Sequence, residues 1–189
     1  LPPDWRDRLG DSYNRPLYRA QGAELAQDAL NPALDWTAIA NEYGSTLPGI
    51  AVIDDLLSPD TLAALQEFLL DSTIWYDFTY IAGFLACYLE DGLACPLLLQ
   101  IADELRLALP EILGPHALQQ GWAFKCMTGE QGIGLHADGG AVGVNFWITP
   151  DSANRAPEDG GLVVYRAHPP EGWTLGNYHG DIAPIRQFL

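Results

Sequence analysis

The stretch that constrains this chain most is Gly132-Ile133-Gly134-Leu135-His136-Ala137-Asp138-Gly139-Gly140. Glycine tolerates sharp chain reversals, so the four glycines leave Leu135 to Asp138 as a short extended piece between turns. Side chains of an extended segment alternate between its two faces. His136 and Asp138 therefore point the same way, and an imidazole nitrogen converges with a carboxylate oxygen. Such a pair is two-thirds of the two-histidine, one-carboxylate triad that holds non-haem Fe(II) on one face and leaves the other open to reactants.

Alternation continues immediately downstream. Val142, Val144, Phe146 and Ile148 form one face of an expected strand, suited to burial against helices. The other face carries Gly143, Asn145 and Trp147, and an amide beside an indole fits a polar-aromatic pocket better than a dry core. A loop from Pro150 to Asp159 leads to Gly160-Gly161-Leu162-Val163-Val164-Tyr165, which reads as a further apolar strand opened by paired glycines.

Gly134-Leu135-His136-Ala137-Asp138, Val144-Asn145-Phe146-Trp147-Ile148-Thr149-Pro150 and Gly160-Gly161-Leu162-Val163-Val164-Tyr165 together resemble the 2-oxoglutarate- and Fe(II)-dependent oxygenase superfamily. The likeness runs from about Val52 to Leu189 and is nearest to bacterial members linked to tetratricopeptide repeats. It implies an α+β fold, mainly β in its core: a double-stranded β-helix of jelly-roll or cupin type, with N-terminal helices packed on the larger sheet. His136 and Asp138 match the family's first two metal ligands, and Asn145 and Trp147 occupy positions that line the 2-oxoglutarate pocket in relatives. The family's distal histidine and its 2-oxoglutarate-binding arginine have no matched counterpart in this sequence.

At 189 residues and 48% hydrophobic content, the chain has enough material for one well-filled core. A net charge of −16 excludes a nucleic-acid backbone as partner, because that association relies on lysine and arginine displacing counterions. Three cysteines, Cys87, Cys95 and Cys126, are odd in number and form no Cys-x-x-Cys motif, so neither a disulfide framework nor a zinc site is indicated. A reducing compartment fits, no apolar run is long enough for a membrane span, and the expected location is cytoplasmic.

Residues 1–47 read as a helical N-terminal extension, and residues 48–189 as the β-helix domain. Leu1 to Pro16 is polar and proline-bearing, whereas Leu17 to Tyr43 shows loose helical spacing punctuated by Asn31-Pro32 and Asp35. Packing against the domain is the expected role of this extension, with a docking arm as the alternative. Ile50 to Ile53 reads as a short strand. Ser58, Pro59 and Asp60 mark a helix start, with Leu62, Leu65 and Leu69 on one stripe. Trp75 to Leu89 reads as one strand or two bent at Gly83. Pro96 to Leu109 is a second helix, with Leu98, Ile101, Leu105 and Leu109 inward and Asp103, Glu104 and Arg106 toward water. Gly121 to Met127 is the strand that enters the His136 loop.

The other histidines fit a ligand role less well. His116 sits in a turn beside Gly114-Pro115, and His168 precedes Pro169-Pro170, which forces extended backbone. His179 lies downstream, as a third ligand must, but in turn-like surroundings before an expected helix at Ile182 to Leu189. Closing a jelly roll takes roughly eight strands, more than can be read here. The expectation is that the closing strands, with the distal histidine and the arginine, lie beyond Leu189.

The implied activity is oxidation of a substrate C–H bond coupled to decarboxylation of 2-oxoglutarate. The carboxylate at position 138 favours hydroxylation over halogenation, which in relatives uses that vacated position. The substrate is a small molecule, or a peptide or protein segment whose basic residues would suit the acidic surface. Two other readings stand beside the enzyme: a metal- or ligand-binding β-helix without catalysis, and an interaction module on a degenerate oxygenase fold.

Overall fold

Helix α3, Pro59–Asp71, starts where local chemistry dictates. Ser58 has extended backbone and its hydroxyl accepts from the Thr61 N–H, while Pro59 occupies the first turn, where a missing N–H costs nothing. Its inner stripe is Thr61, Leu65, Phe68 and Leu69. Helix α4, Pro96–Ala108, also opens on a proline and buries Leu97, Ile101 and Leu105. With Ile74, these side chains form the core around the two helices, each large apolar one contributing about 1.5–3 kcal/mol by leaving water.

The structure is a computed structural model that describes residues 2–10, 23–24, 26–77, 83–126, 136, 138–154, 158, 161–166 and 171–174. It is a mixed α/β chain with four α-helices and a two-stranded antiparallel sheet among the described residues. Strand β1, Phe84–Tyr88, pairs with β2, Trp122–Cys126, in the register Phe84 opposite Cys126 through Tyr88 opposite Trp122. An isolated bridge from Asp77 to Ala86 covers the other edge of β1, and the Tyr88 hydroxyl donates to Asp77 at 2.9 Å. Phe84 meets Phe124 edge to face at 6.0 Å. Lys125 holds its ammonium 4.4 Å from the centre of the Trp75 ring.

The chain divides into two compact units, Leu1–Leu34 with Asp54–Gly132, and Asp35–Ile53 with Ile133–Leu189. The first holds α1 (Pro3–Leu9), α3, α4 and the sheet. In it, residues 23, 24 and 26–30 form an irregular strap along α4. The Leu97 N–H donates to Ala23, and the Gln100 amide both donates to and accepts from the Ala26 backbone. The Glu104 carboxylate accepts from the Ala29 and Leu30 N–H groups at 3.0 Å each and from the Gln100 amide at 2.6 Å. The second unit holds α2, Trp36–Ser45, capped by the Asp35 carboxylate accepting from the Ala38 N–H. Apart from a short 3₁₀ turn at Asp151–Ala153, its described residues after 135 form neither helix nor strand.

Several expectations meet their correction here. Val142 to Ile148 makes no ladder, and Val144 and Phe146 are exposed rather than packed on helices. Leu162 to Tyr165 is likewise exposed and unpaired in any ladder, and Ile50 to Ile53 is irregular. Alternation describes the two faces of a strand, but a strand also needs a neighbour for its N–H and C=O groups, and no described segment supplies one. Glu104 is not a water-facing residue but the anchor of the strap. Among the described residues of the expected helical stretch Leu17 to Tyr43, helix begins at Trp36, and in the polar, proline-bearing start of the extension Pro3–Leu9 is helical. Proline at its first position, Asp4 in the first turn, Arg6 and Arg8 in the last and Gly10 after it mark this helix.

Buried Cys87 gives this core a pH dependence. Burial pushes its thiol up from 9.0 to about 11, Asp91 adds to the rise, and the Ala123 backbone and Lys125 oppose it. A thiol pKa raised by folding means that its stabilisation is complete below about 9 and is lost as pH climbs through about 11, up to about 3 kcal/mol at two units. Lys125, half-buried, is lowered by desolvation and acts in the opposite sense, so the net loss is smaller. Urea midpoints measured at pH 8 and 10.5 are expected to fall in the native chain and to fall less in Cys87→Ala.

Candidate metal centre

His136 and Asp138 come together. Nε2 of His136 lies 3.7 Å from Oδ1 of Asp138, with the side chains 38% and 53% exposed, just before the bends at Gly139 and Gly140. As an ion pair this contact is worth little, about 0–1 kcal/mol at such exposure. As a donor pair it has the right scale. Bonds of about 2.1 Å meeting at a right angle place two ligand atoms about 3.0 Å apart. The observed spacing corresponds to a wider angle that a small side-chain rotation closes.

The remaining site residues are less gathered. Asn145 and Trp147 follow in the same unit and both are exposed, with Trp147 turned largely to solvent. His116 lies in the other unit in an exposed turn, its N–H donating to Leu113. His168 and His179 lie outside the described residues, as do Gly132 to Leu135 and Ala137. Among the described residues no group of three or more His, Cys, Asp and Glu side chains is placed to hold a metal ion. The pair brings two potential donors together, and no third is placed beside them among the described residues.

A concavity of about 460 Å³ includes neither member of the pair. It lies at the C-terminal end of α4 and is lined by Asp103, Arg106, Leu107, Pro110 and Gly114. The Arg106 guanidinium donates from Nη2 to the Gly114 carbonyl at 3.3 Å and approaches Asp103 at 3.8 Å. Leucines on the solvent side of α4 were the available signal for this surface, and they passed unread beside the stronger inner stripe.

The chain matches no protein-family model, no curated protein and no solved structure. No helix among the described residues is long and apolar enough to cross a membrane.

Proposed function

We propose that this chain is a 2-oxoglutarate- and Fe(II)-dependent oxygenase, a hydroxylase acting on a small molecule or a peptide segment, built on a double-stranded β-helix. The observation that carries the reading is the 3.7 Å approach of His136 Nε2 to Asp138 Oδ1, in a stretch that glycines bracket in the sequence. His136 and Asp138 would hold the iron, and Asn145 and Trp147 would line the 2-oxoglutarate side. Bound iron would supply the oxidation of a substrate C–H bond, coupled to loss of carbon dioxide from 2-oxoglutarate. Two protein donors leave most of the metal's positions to other groups, which suits a centre that must admit a cosubstrate.

One observation favours a second reading, an interaction or metal-binding module without turnover. Leu162, Val163, Val164 and Tyr165 stand exposed in a row, an arrangement more common at contact surfaces than beside a dry reaction chamber. Anaerobic titration with Fe(II) and 2-oxoglutarate, then air and a succinate assay, separates the two. The oxygenase reading expects saturable iron binding and succinate formation in step with 2-oxoglutarate loss. Iron binding without succinate favours the module, and neither binding nor succinate removes the metal centre.

A further inference from the structure

Helix α4 has two apolar faces, and only one is covered. Leu97, Ile101 and Leu105 face the core, and Gln100 and Glu104 face the strap. At 100° per residue, Pro96, Leu99, Asp103 and Leu107 fall within about 80° of one another on the opposite side. All four are exposed, Leu107 to 80% and Leu99 to 45%. Water-exposed leucines on a helix already packed along its inner face are a feature to be explained.

The order of residues on this face supplies the explanation. It reads the same in both directions from Asp103: a leucine four residues to either side, Leu99 and Leu107, and a proline seven residues to either side, Pro96 and Pro110. A two-fold interface requires a self-complementary patch, in which residue i meets residue j of the partner and j meets i. Laid antiparallel with the axis at Asp103, two such helices bring each Leu99 opposite the other's Leu107, and each Pro96 opposite the other's Pro110. The shape is complementary as well. Leu99 and Pro96 of one copy reach the place where the other carries its 460 Å³ concavity, lined by Asp103, Arg106, Leu107, Pro110 and Gly114. The axis sets each Asp103 against its own copy, an acid–acid approach that Arg106 offsets: the guanidinium is 3.8 Å from Asp103 within each chain and within one turn of the other copy's Asp103, so two crossed acid–base pairs flank the leucine contacts.

We propose that the outward face of α4 is a self-association surface, occupied by the same face of a second copy of this chain. One helix face and its concavity lie at the small end of stable interfaces, so the dimer is weak, with a dissociation constant of about 1–100 μM.

Sedimentation equilibrium of the full chain across that range is expected to show a reversible monomer–dimer equilibrium. Leu107→Lys is expected to raise the dissociation constant at least tenfold without altering the circular dichroism or the melting temperature, because the side chain is at the surface. Leu70→Lys, at an equally exposed leucine of α3, is expected to leave it unchanged. Only a residue on the axis meets its own copy, so Asp103→Cys is expected to form an intermolecular disulfide under mild oxidation, in excess of the wild-type chain and of Glu67→Cys on α3. A wild-type chain monomeric throughout, a Leu107→Lys dimer as tight as wild type, an equal loss from Leu70→Lys, or Asp103→Cys crosslinking no better than its controls would each overturn the proposal.

Discussion

Replacing His136 with Ala is expected to abolish iron-dependent succinate formation and to leave the fold nearly intact. More than a third of the side chain is open to solvent, and its contact with Asp138 is long for an ion pair. Truncation should therefore cost no more than about 1 kcal/mol, the range of an ordinary surface substitution. The metal has no such tolerance. Loss of one of two protein donors should lower Fe(II) affinity beyond the roughly 10–100-fold that follows from disturbing groups behind a ligand, and 2-oxoglutarate turnover should fall with it. A structural histidine would behave in the reverse way, losing stability through an unpaired partner while activity per folded molecule survived. Melting temperature and succinate yield measured side by side distinguish the two. An unfolded variant, or one with wild-type turnover, would sink the assignment of His136 as an iron ligand.

The parts of this molecule legible in its sequence are those whose causes are local. Ser58 and Pro59 begin α3, Pro96 begins α4, Asp35 ends the segment before α2, and each acts within a few residues of itself. Strand β2 was legible from aromatic alternation at Trp122 and Phe124, with a partner available in β1. Val142 to Ile148 carries an even cleaner alternation, yet it forms no ladder, because pairing depends on where a distant segment lies and no period-two pattern encodes that. The His136–Asp138 approach belongs with the local class: their separation in sequence is enough to bring them together. Asn145 and Trp147 do not share that advantage, since their place relative to the pair depends on a strand that is not formed among the described residues.

Glu104 is the clearest case of a residue whose role lies outside its own helix, and it yields the largest stability effect expected in the first unit. By residue type alone it belongs with Asp103 and Arg106 on the water side of α4. Instead its carboxylate receives the N–H groups of Ala29 and Leu30, both residues buried, and the amide of Gln100, which itself pairs with the backbone of Ala26. The strap carries Ala29 and Leu30 to the segment before α3, where Leu30 bridges Leu57 and the Ser58 N–H donates to Ala29. Glu104→Ala removes the acceptor and leaves two buried N–H groups without it, each costing about 1–3 kcal/mol. The sum, about 2–6 kcal/mol, corresponds to a melting temperature lower by about 4–24 °C in a chain of this length. Glu104→Gln keeps one carbonyl oxygen but turns a donor toward the strap, so an intermediate loss is expected. Faster amide exchange confined first to residues 26–30 would accompany both changes. If Glu104→Ala melts like the native chain, the carboxylate does not hold the strap.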